Sequence, residues 1–342
     1  WPDDVVDLWK TIPIQDGGRL KPLDTFAAFK MLKLHGKRTM RLTHADATIK
    51  LSPIEWLLDC LFRPDTAVTY PTFTVDNSSV IVAIGLSPHK KKRSRYSYTE
   101  LQPGIERLFE LAGQYSEIDA QQRNGLQTMT VNLASNVNDF EFLLHYFDFA
   151  RIPLPLSATD LSPNADDPLM TTDALQMLPA LRQIYLEGQA RDPGTTGPVV
   201  ESLSQILHYA DTSIGLALLP PPDTDLLEWR TPGQLIRQAF QGPLPASEFK
   251  LLRALADLPT TAETPDRFKE QLQKFHGLVT ERAEARSEYS KIRLEVAFYK
   301  GKYFYYSLCL YVLSFLCIAL SWLGSADGRS SRVLTRAAIV LV

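Results

Sequence analysis

The sequence predicts a mainly α-helical extracytoplasmic domain with a small β piece, which continues through a long helix into a transmembrane helix. Three observations support this fold class. Helix-start signals recur along the chain, strand-like patterns are confined to one segment, and Tyr303–Leu323 contains no charged side chain. The chain is therefore expected to combine a folded domain with a membrane anchor.

The helix starts are marked by capping sequences. Ser52 occupies an N-cap position, Pro53 the first helical position and Glu55 the third, which is a capping box leading into Trp56–Phe62. Arg63-Pro64 then ends that helix because a proline cannot continue it. The same arrangement recurs at Ser97–Glu100 and at Thr231–Gln234, and Thr264-Pro265 opens the last long helix.

The β piece is predicted within Thr66–Leu86. Its alternating and β-branched residues indicate two short strands around Asp76-Asn77-Ser78-Ser79. Residues 151–170 and 188–198 are rich in Pro, Asp and Gly, so they are expected to form loops.

One apolar stripe runs along the last long helix. Phe268, Leu272, Phe275 and Val279 begin it at a spacing of three and four, and Tyr289, Ile292, Val296 and Tyr299 continue it at the same spacing. We therefore predict one helix that runs without a break into the membrane, with Gly301 as a weak point. The resulting division is a mainly helical domain at 1–262, the long amphipathic helix at 263–302, a transmembrane helix at 303–323, a short connection at 324–336 and the start of a second apolar segment at 337–342.

The transmembrane segment has the length and the flanks of a bilayer-spanning helix. About 21 residues at about 1.5 Å each give roughly 31 Å, enough to cross the hydrocarbon core. Aromatic residues crowd its start and Trp322 stands near its end, as expected at the two membrane surfaces. The connection that follows holds three arginines against one acid and is expected in the cytoplasm. The large N-terminal domain is then expected on the periplasmic side of the inner membrane.

The lysines and arginines on the other flank of the membrane segment oppose this orientation. They are Lys291, Arg293, Lys300 and Lys302, whereas the connection carries Arg329, Arg332 and Arg336 beside Asp327. The short connection is the better determinant, because long domains cross a membrane largely regardless of their charge. The apolar run at the end of the sequence also suggests a piece of a longer membrane protein.

Composition excludes several classes of protein. The chain is 45% hydrophobic and 22% charged with a net charge of -3, so it is neither disordered nor a basic nucleic-acid binder. Cys309 and Cys317 lie in the apolar run and leave Cys60 alone in the domain, where a buried thiol is expected. The sequence has no Cys-x-x-Cys-His, no phosphate-binding loop and no hydrolase or zinc-protease motif. No motif in the sequence therefore indicates a self-sufficient enzyme.

Two groups of residues are candidates for ligand binding. The six histidines are scattered without metal-ligand spacing, but His145 and His208 lie on apolar helical stretches and are candidate haem ligands. Each is more simply interpreted as a buried, hydrogen-bonded histidine. The basic run His89–Arg95 has the charge to meet acidic lipid headgroups or haem propionates, although a solvated loop is the simpler interpretation.

The most unusual stretch is Ile12–Ala27. Gly17 and Gly18 permit positive φ and a tight reversal, and Asp24 or Thr25 is placed to cap the helix that follows Pro22. The charged residues Asp16, Arg19, Lys21 and Asp24 are expected to pair across the turn. We interpret the stretch as a charged turn that holds the N-terminal segment on the domain, with a ligand or docking site as the alternative.

This stretch resembles a signature of CcsA/ResC-type cytochrome c assembly proteins of the system II pathway. The signature is Gln-Asp-Gly-Gly-Arg-x-Lys-Pro-Leu-Asp-Thr-x-Ala, and Gln15–Ala27 matches it. Ser52–Leu58 followed by Arg95–Leu101, and Leu294–Tyr299 ahead of the membrane helix, are similar to the same proteins. The chain departs from the family at Lys300-Gly301-Lys302, where an Asn and a Pro-aromatic pair are expected.

The resemblance implies the N-terminal extracytoplasmic domain and first membrane helix of a protein that moves haem to the outer face and presents it to apocytochrome c. The haem-handling parts of that family belong to later membrane helices, so no catalytic residue carries over and no cofactor is expected on these 342 residues. Partner docking is the expected role, with other membrane proteins and the lipid bilayer as partners. The alternative is a structural subunit of a larger membrane energy-converting complex that caps partners on the outer face.

Overall fold

A computed structural model describes residues 1–44, 47–89, 92–156, 169–191, 197–301, 303–322 and 329–341. Within these ranges the chain is mainly helical and contains three two-stranded antiparallel sheets. It divides into two compact units, Trp1–Ile292 and Arg293–Val342. Each unit is described by itself.

The first half of the larger unit alternates short strands and helices. Its elements are α1 (Asp3–Lys10), β1 (Pro13–Asp16), β2 (Arg19–Pro22), α2 (Leu23–His35), β3 (Met40–His44), β4 (Ala47–Leu51), α3 (Pro53–Phe62), α4 (Pro64–Ala67), β5 (Phe73–Asn77), α5 (Ser78–Ala83), β6 (Lys92–Tyr96) and α6 (Tyr98–Leu101). The sheets pair β1 with β2, β3 with β4 and β5 with β6.

The rest of the chain is helical apart from connections. Its elements are α7 (Ile105–Ser116), α8 (Gly125–Leu144), α9 (Asp148–Arg151), α10 (Thr171–Arg191), α11 (Gly197–Thr212), α12 (Pro232–Gln241), α13 (Ala246–Thr261), α14 (Pro265–Ala285), α15 (Ser290–Gly301), α16 (Tyr303–Trp322) and α17 (Arg329–Leu341). The second unit comprises most of α15 together with α16 and α17.

The predicted helix starts are confirmed, and three of them are capping boxes. The hydroxyls of Ser52, Ser97 and Thr231 each accept a hydrogen bond from the backbone of the third helical residue, whose side chain bonds back to the cap. The helix that begins at Pro53 ends at Phe62, as predicted. Local hydrogen bonds within four residues are sufficient to define these ends.

The prediction of one β piece is half wrong, and the sheets β1–β2 and β3–β4 lie outside the segment predicted for it. Phe73–Asn77 is a strand, but Ser78–Ala83 is a short helix that Asn77 caps by accepting a bond from the amide of Ser79. The partner of β5 is β6, in the basic run, with Phe73 opposite Tyr96. The β-branched residues of α5 are helical because its cap and the burial of Val80 and Ile81 outweigh their β propensity.

The loop predictions have mixed outcomes. Residues 188–191 belong to α10 and residues 197–198 begin α11, so the loop predicted at 188–198 is helical on both sides of 192–196, which lie outside the described residues. The predicted loop at 151–170 includes the end of α9 and non-helical residues, and 157–168 are likewise outside the described part.

Aromatic side chains form the centre of the larger unit. The ring of Phe62 lies 4.9 Å from Phe147, 5.0 Å from Phe268 and 5.6 Å from Trp9, measured between ring centroids. These rings join α1, α3 and α14 with the turn between α8 and α9, since all four residues are buried. Cys60 lies in the same core, and burial raises the pKa of its thiol, as expected for a structural cysteine.

The long helix predicted at 263–302 is two helices. Phe268, Leu272, Phe275 and Val279 are buried as the stripe predicted, but α14 ends at Ala285. The amides of Ser287 and Glu288 bond back to the carbonyls of Glu284 and Ala283, which is a Schellman ending. Ser287 takes the left-handed position with φ 58°. The stripe therefore does not specify a continuous helix.

The smaller unit contains the membrane-length helix. Among the described residues, α16 is long and apolar enough to cross a membrane, and most of its side chains are exposed, unlike those of a buried core helix. The Ser314 hydroxyl donates a hydrogen bond to the carbonyl of Ala338 at 3.0 Å, so α17 packs against α16. The predicted connection at 324–336 is helical from Arg329 onward.

Candidate functional site

The signature stretch forms a tight hairpin, comprising β1, β2 and the turn between them. Gly17 and Gly18 connect the strands with φ 59° and 74°, and Asp16 stands opposite Arg19 at the last strand pair. Positive φ at both central residues is typical of the two-residue hairpin turn that matches strand twist. The predicted reversal is confirmed. Its glycines are required by their positive φ and not by crowding, because a Cβ at either position would meet no atom within 4 Å.

The charged residues Asp16 and Lys21 pair across the hairpin, as predicted. Lys21 Nζ lies 2.7 Å from Asp16 Oδ2, and the Lys21 side chain is only 15% exposed. Arg19 is exposed on the following strand. The Asp16–Lys21 pair supports the interpretation of the turn as a structural element, because a lysine reserved for docking would extend into solvent.

Gln15 connects the hairpin to a distant segment at residues 220–230. Its backbone amide donates to the carbonyl of Ala217 at 3.1 Å. Its side chain donates to the carbonyl of Leu227 at 2.9 Å and accepts from the amide of Trp229 at 2.7 Å. The 220–230 segment is closed by an antiparallel bridge between Leu219 and Arg230. Gln15 therefore fixes the backbone on both sides of Glu228.

The 220–230 segment is also held by the end of α14. Arg286 makes two bonds to the carboxylate of Glu288, at 2.8 and 3.0 Å, and also donates to the carbonyls of Asp223 and Leu226. Glu288 accepts a bond from the indole N–H of Trp229 at 3.0 Å. A bidentate guanidinium–carboxylate pair is geometrically rigid. The hairpin, the 220–230 segment and the end of α14 thus form one hydrogen-bonded network.

The predicted helix cap at Asp24 or Thr25 is wrong. The N-cap of α2 is Pro22, which makes no side-chain cap bond, and Asp24 and Thr25 lie inside the first turn. Thr25 is buried, and desolvation by burial raises the pKa of Asp24 despite the nearby Lys10. Asp24 therefore does not stabilise the start of α2 through a cap hydrogen bond.

The two candidate haem ligands are exposed, which corrects their interpretation as buried histidines. His145 ends α8 and its Nδ1 lies 2.7 Å from Asp148 Oδ2, and this hydrogen bond raises the pKa of the imidazole. Its side chain is 51% exposed. His208 lies on the exposed side of α11 beside buried Tyr209. A carboxylate-bound imidazole suits a metal ligand, but neither ring lies in an enclosed apolar pocket.

The basic run is part of a sheet rather than a loop. Residues 92–95 belong to β6, whereas 90 and 91 lie outside the described residues. Arg95 donates to the carbonyl of His35 at 3.1 Å, and His89 stacks on Tyr96 with 4.5 Å between ring centroids. These contacts give the described part of the run a structural role.

The residues missed by sequence reasoning belong to the network. Gln15 opens the signature but carried no expected role, and Arg286 and Glu288 lie within the helix that was predicted to be continuous. Only their long-range partners reveal their role. Within the described ranges, no group of three or more His, Cys, Asp or Glu residues is placed to hold a metal ion.

Neither a scan against protein-family models nor a search of curated proteins matches this chain.

Proposed function

We propose that this chain is the extracytoplasmic domain and first membrane helix of a CcsA/ResC-type cytochrome c assembly protein, and that it docks partners rather than carrying out catalysis. The support is the resemblance of Gln15–Ala27, together with a helix near the C-terminus that is long enough to span a membrane. The domain lies on the periplasmic side of the inner membrane in this proposal, because arginines dominate the connection after α16.

One structural observation carries the docking role. Leu227 is 76% exposed and Leu226 is 43% exposed, although the backbone around them is held by Gln15 and Arg286. Exposed leucines on a rigid segment lose little conformational entropy on binding, which favours a docking contact. The signature hairpin thereby has a function: it presents the 220–230 segment in one conformation.

The partners in this proposal are other membrane proteins of the cytochrome c assembly pathway, and haem reaches the full-length protein rather than this part of it. The domain would position an apocytochrome or a second assembly protein near the outer face of the bilayer. Its acidic net charge and its fold provide no basis for nucleic-acid binding.

Replacing Leu227 by Asp tests the docking role. The native host would carry Leu227→Asp in place of the wild-type gene, and covalently bound haem would be measured by peroxidase staining of its c-type cytochromes. Ile49→Asp is the matched control, because Ile49 is 55% exposed on the β3–β4 sheet and is not one of the residues of the network. We expect stained cytochromes to fall with Leu227→Asp and to stay normal with Ile49→Asp.

Two outcomes would contradict the proposal. Normal cytochrome c staining after deletion of the whole gene would remove the role in cytochrome assembly. Co-purification of the wild-type chain with a respiratory or photosynthetic complex, lost in Leu227→Asp, would support the alternative of a structural subunit that caps partners.

A further inference from the structure

Four helices of the larger unit line an apolar cavity, open to solvent on one side, that the proposed function does not use. The cavity has a volume of about 920 Å³ and lies between α10, α11, α12 and α13. Its apolar wall includes Leu175, Leu178, Leu203, Phe240, Leu244 and Phe249. This volume is near the upper end of the range for pockets that bind small molecules, about 300–1,000 Å³.

The lining of the cavity is uncharged. Among the residues that the structure describes there, none is Asp, Glu, Lys, Arg or His. Two ion pairs link charged neighbours on the same helices: Asp173 binds Arg253 at 2.5 Å, and Asp211 binds Arg237. None of these lining residues offers an ion to select a charged ligand, and burying a charge against them would be costly.

A few polar groups at the cavity can orient an uncharged head group. Gln176 and Gln241 contribute side-chain amides to the lining. Pro179, which lies within α10, also lines the cavity. Because proline lacks an N–H, the carbonyl of Leu175 receives no helical hydrogen bond from position 179. Side-chain amides both donate and accept hydrogen bonds, so they suit a hydroxyl group, which does the same.

The size of the cavity distinguishes a small molecule from a docked helix. With a diameter of about 10–12 Å and a rise of about 1.5 Å per residue, an α-helix would place only about five to eight residues in this volume. A helix that short gains little stability of its own. A single hydrocarbon chain instead matches the leucine and phenylalanine wall without leaving backbone groups unbonded.

We propose that this cavity binds a neutral single-chain lipid with a hydroxyl head group. The hydrocarbon chain lies against the leucine and phenylalanine wall, and the hydroxyl bonds to the amides of Gln176 or Gln241. A bilayer is a ready source of such molecules for a chain that carries the membrane-length helix α16.

Photolabelling of the full chain tests this site. The chain in lipid nanodiscs would be irradiated with a diazirine analogue of hexadecanol, and labelled peptides would be identified by mass spectrometry. We expect saturable labelling of peptides from α10 and from residues 240–249. Hexadecanol should compete, and hexadecanoate should compete about tenfold more weakly because its carboxylate is charged.

Two substitutions on one helix provide the matched comparison. Leu203 lines the cavity, whereas Leu207, one turn later on α11, is 42% exposed and lies outside the lining. Leu203→Glu should reduce the labelling at least about tenfold, and Leu207→Glu should leave it unchanged. If Leu203→Glu fails to fold, Ala246→Trp decides, since Ala246 also lines the cavity and a tryptophan there would fill it.

Three results would overturn the proposal. Labelling confined to Tyr303–Trp322 would show that the probe reports only the bilayer. Equal labelling of wild type and a folded Leu203→Glu or Ala246→Trp variant would show that the cavity is not the site. Equal competition by hexadecanoate would exclude selection for a neutral head group.

Discussion

At the residue scale, one residue takes a backbone conformation that its type disfavours, and two side chains have a pKa that burial shifts. Ser287 adopts the left-handed conformation that usually belongs to glycine, and the pKa of Asp24 is raised rather than lowered. His35 is a buried histidine whose pKa is depressed. Each provides a prediction whose sign follows from the physical cause.

Ser287→Gly should stabilise the larger unit. Ser287 is exposed and has φ 58° at the end of α14, where a side chain costs roughly 1–2 kcal/mol compared with right-handed backbone. Glycine avoids that cost but loses more entropy on folding, so the net gain should be about 0.5–1 kcal/mol. Denaturant unfolding of the full chain measures it. Ser287→Ala is the control, because alanine keeps the Cβ; an equal gain there would contradict the assignment.

Asp24→Asn should preserve or raise stability at pH 7. Burial raises the folded pKa of Asp24, so its ionised form is less favourable in the fold than in the unfolded chain. Asparagine removes that cost, and the advantage should shrink as the pH falls and the wild-type carboxyl becomes protonated. Thermal melts at several pH values measure this.

Asp16→Asn is the matched control for Asp24→Asn. It removes the ion pair with Lys21 and should lower the free energy of unfolding by about 0.2–1 kcal/mol at pH 7. A clear loss of stability in Asp24→Asn at pH 7 would instead restore a stabilising role for that carboxylate.

The stability of the wild type should decrease with acid through His35. Burial lowers the pKa of this imidazole, although its Nδ1 bonds the carbonyl of Pro71 at 2.8 Å. The contribution of neutral His35 is complete above the unfolded pKa of about 6.5 and is lost as the pH falls toward the folded pKa. His145 acts in the opposite direction, since its pKa is raised.

The comparison of wild type with His35→Gln isolates this effect. The variant keeps a hydrogen-bond donor but does not titrate, so its stability should fall less between pH 7.5 and 5.5. Thermal melts of both proteins at the two pH values are the measurement. Parallel losses would show that His35 does not control the acid response.

At the element scale, the hairpin turn depends on two glycines, and the chain offers a control of the same chemical change. Gly18→Ala should cost roughly 1–2 kcal/mol, because φ 74° is unfavourable for a residue with a Cβ. Gly113→Ala lies inside helix α7 with open space around its Cβ and should stabilise by about 0.5–1 kcal/mol. Denaturant unfolding of both variants tests the prediction. Equal effects would contradict the left-handed turn.

At the scale of the whole molecule, labelling of introduced cysteines tests the proposed orientation. Glu117→Cys places an exposed thiol after α7, and Thr335→Cys places one on α17. A membrane-impermeant maleimide should label Glu117→Cys in intact spheroplasts and Thr335→Cys only after permeabilisation. Cys60 should stay unlabelled because it is buried and the pKa of its thiol is raised. The reverse pattern would place the domain in the cytoplasm.

The accuracy of the sequence predictions depended on the range of the interactions involved. The helix starts at Pro53, Tyr98 and Pro232 and the turn at Gly17-Gly18 were predicted correctly, since cap and turn bonds join residues at most four apart. The second strand predicted before Leu86 was wrong, because the partner of β5 lies in the basic run. Capping by Asn77 then favoured a helix over a strand at 78–83.

The sequence by itself determined a mainly helical domain, the hairpin turn and a helix of membrane length, because local hydrogen bonds and the length of an apolar run are written in consecutive residues. Only the tertiary structure decided where α14 ends, what Gln15 holds and that His145 and His208 are exposed. The break after Ala285 is stabilised by the bonds of Arg286 to Glu288 and to the 220–230 segment. That segment lies some 60 residues earlier in the chain. Contacts between such distant residues exist only once the chain is folded.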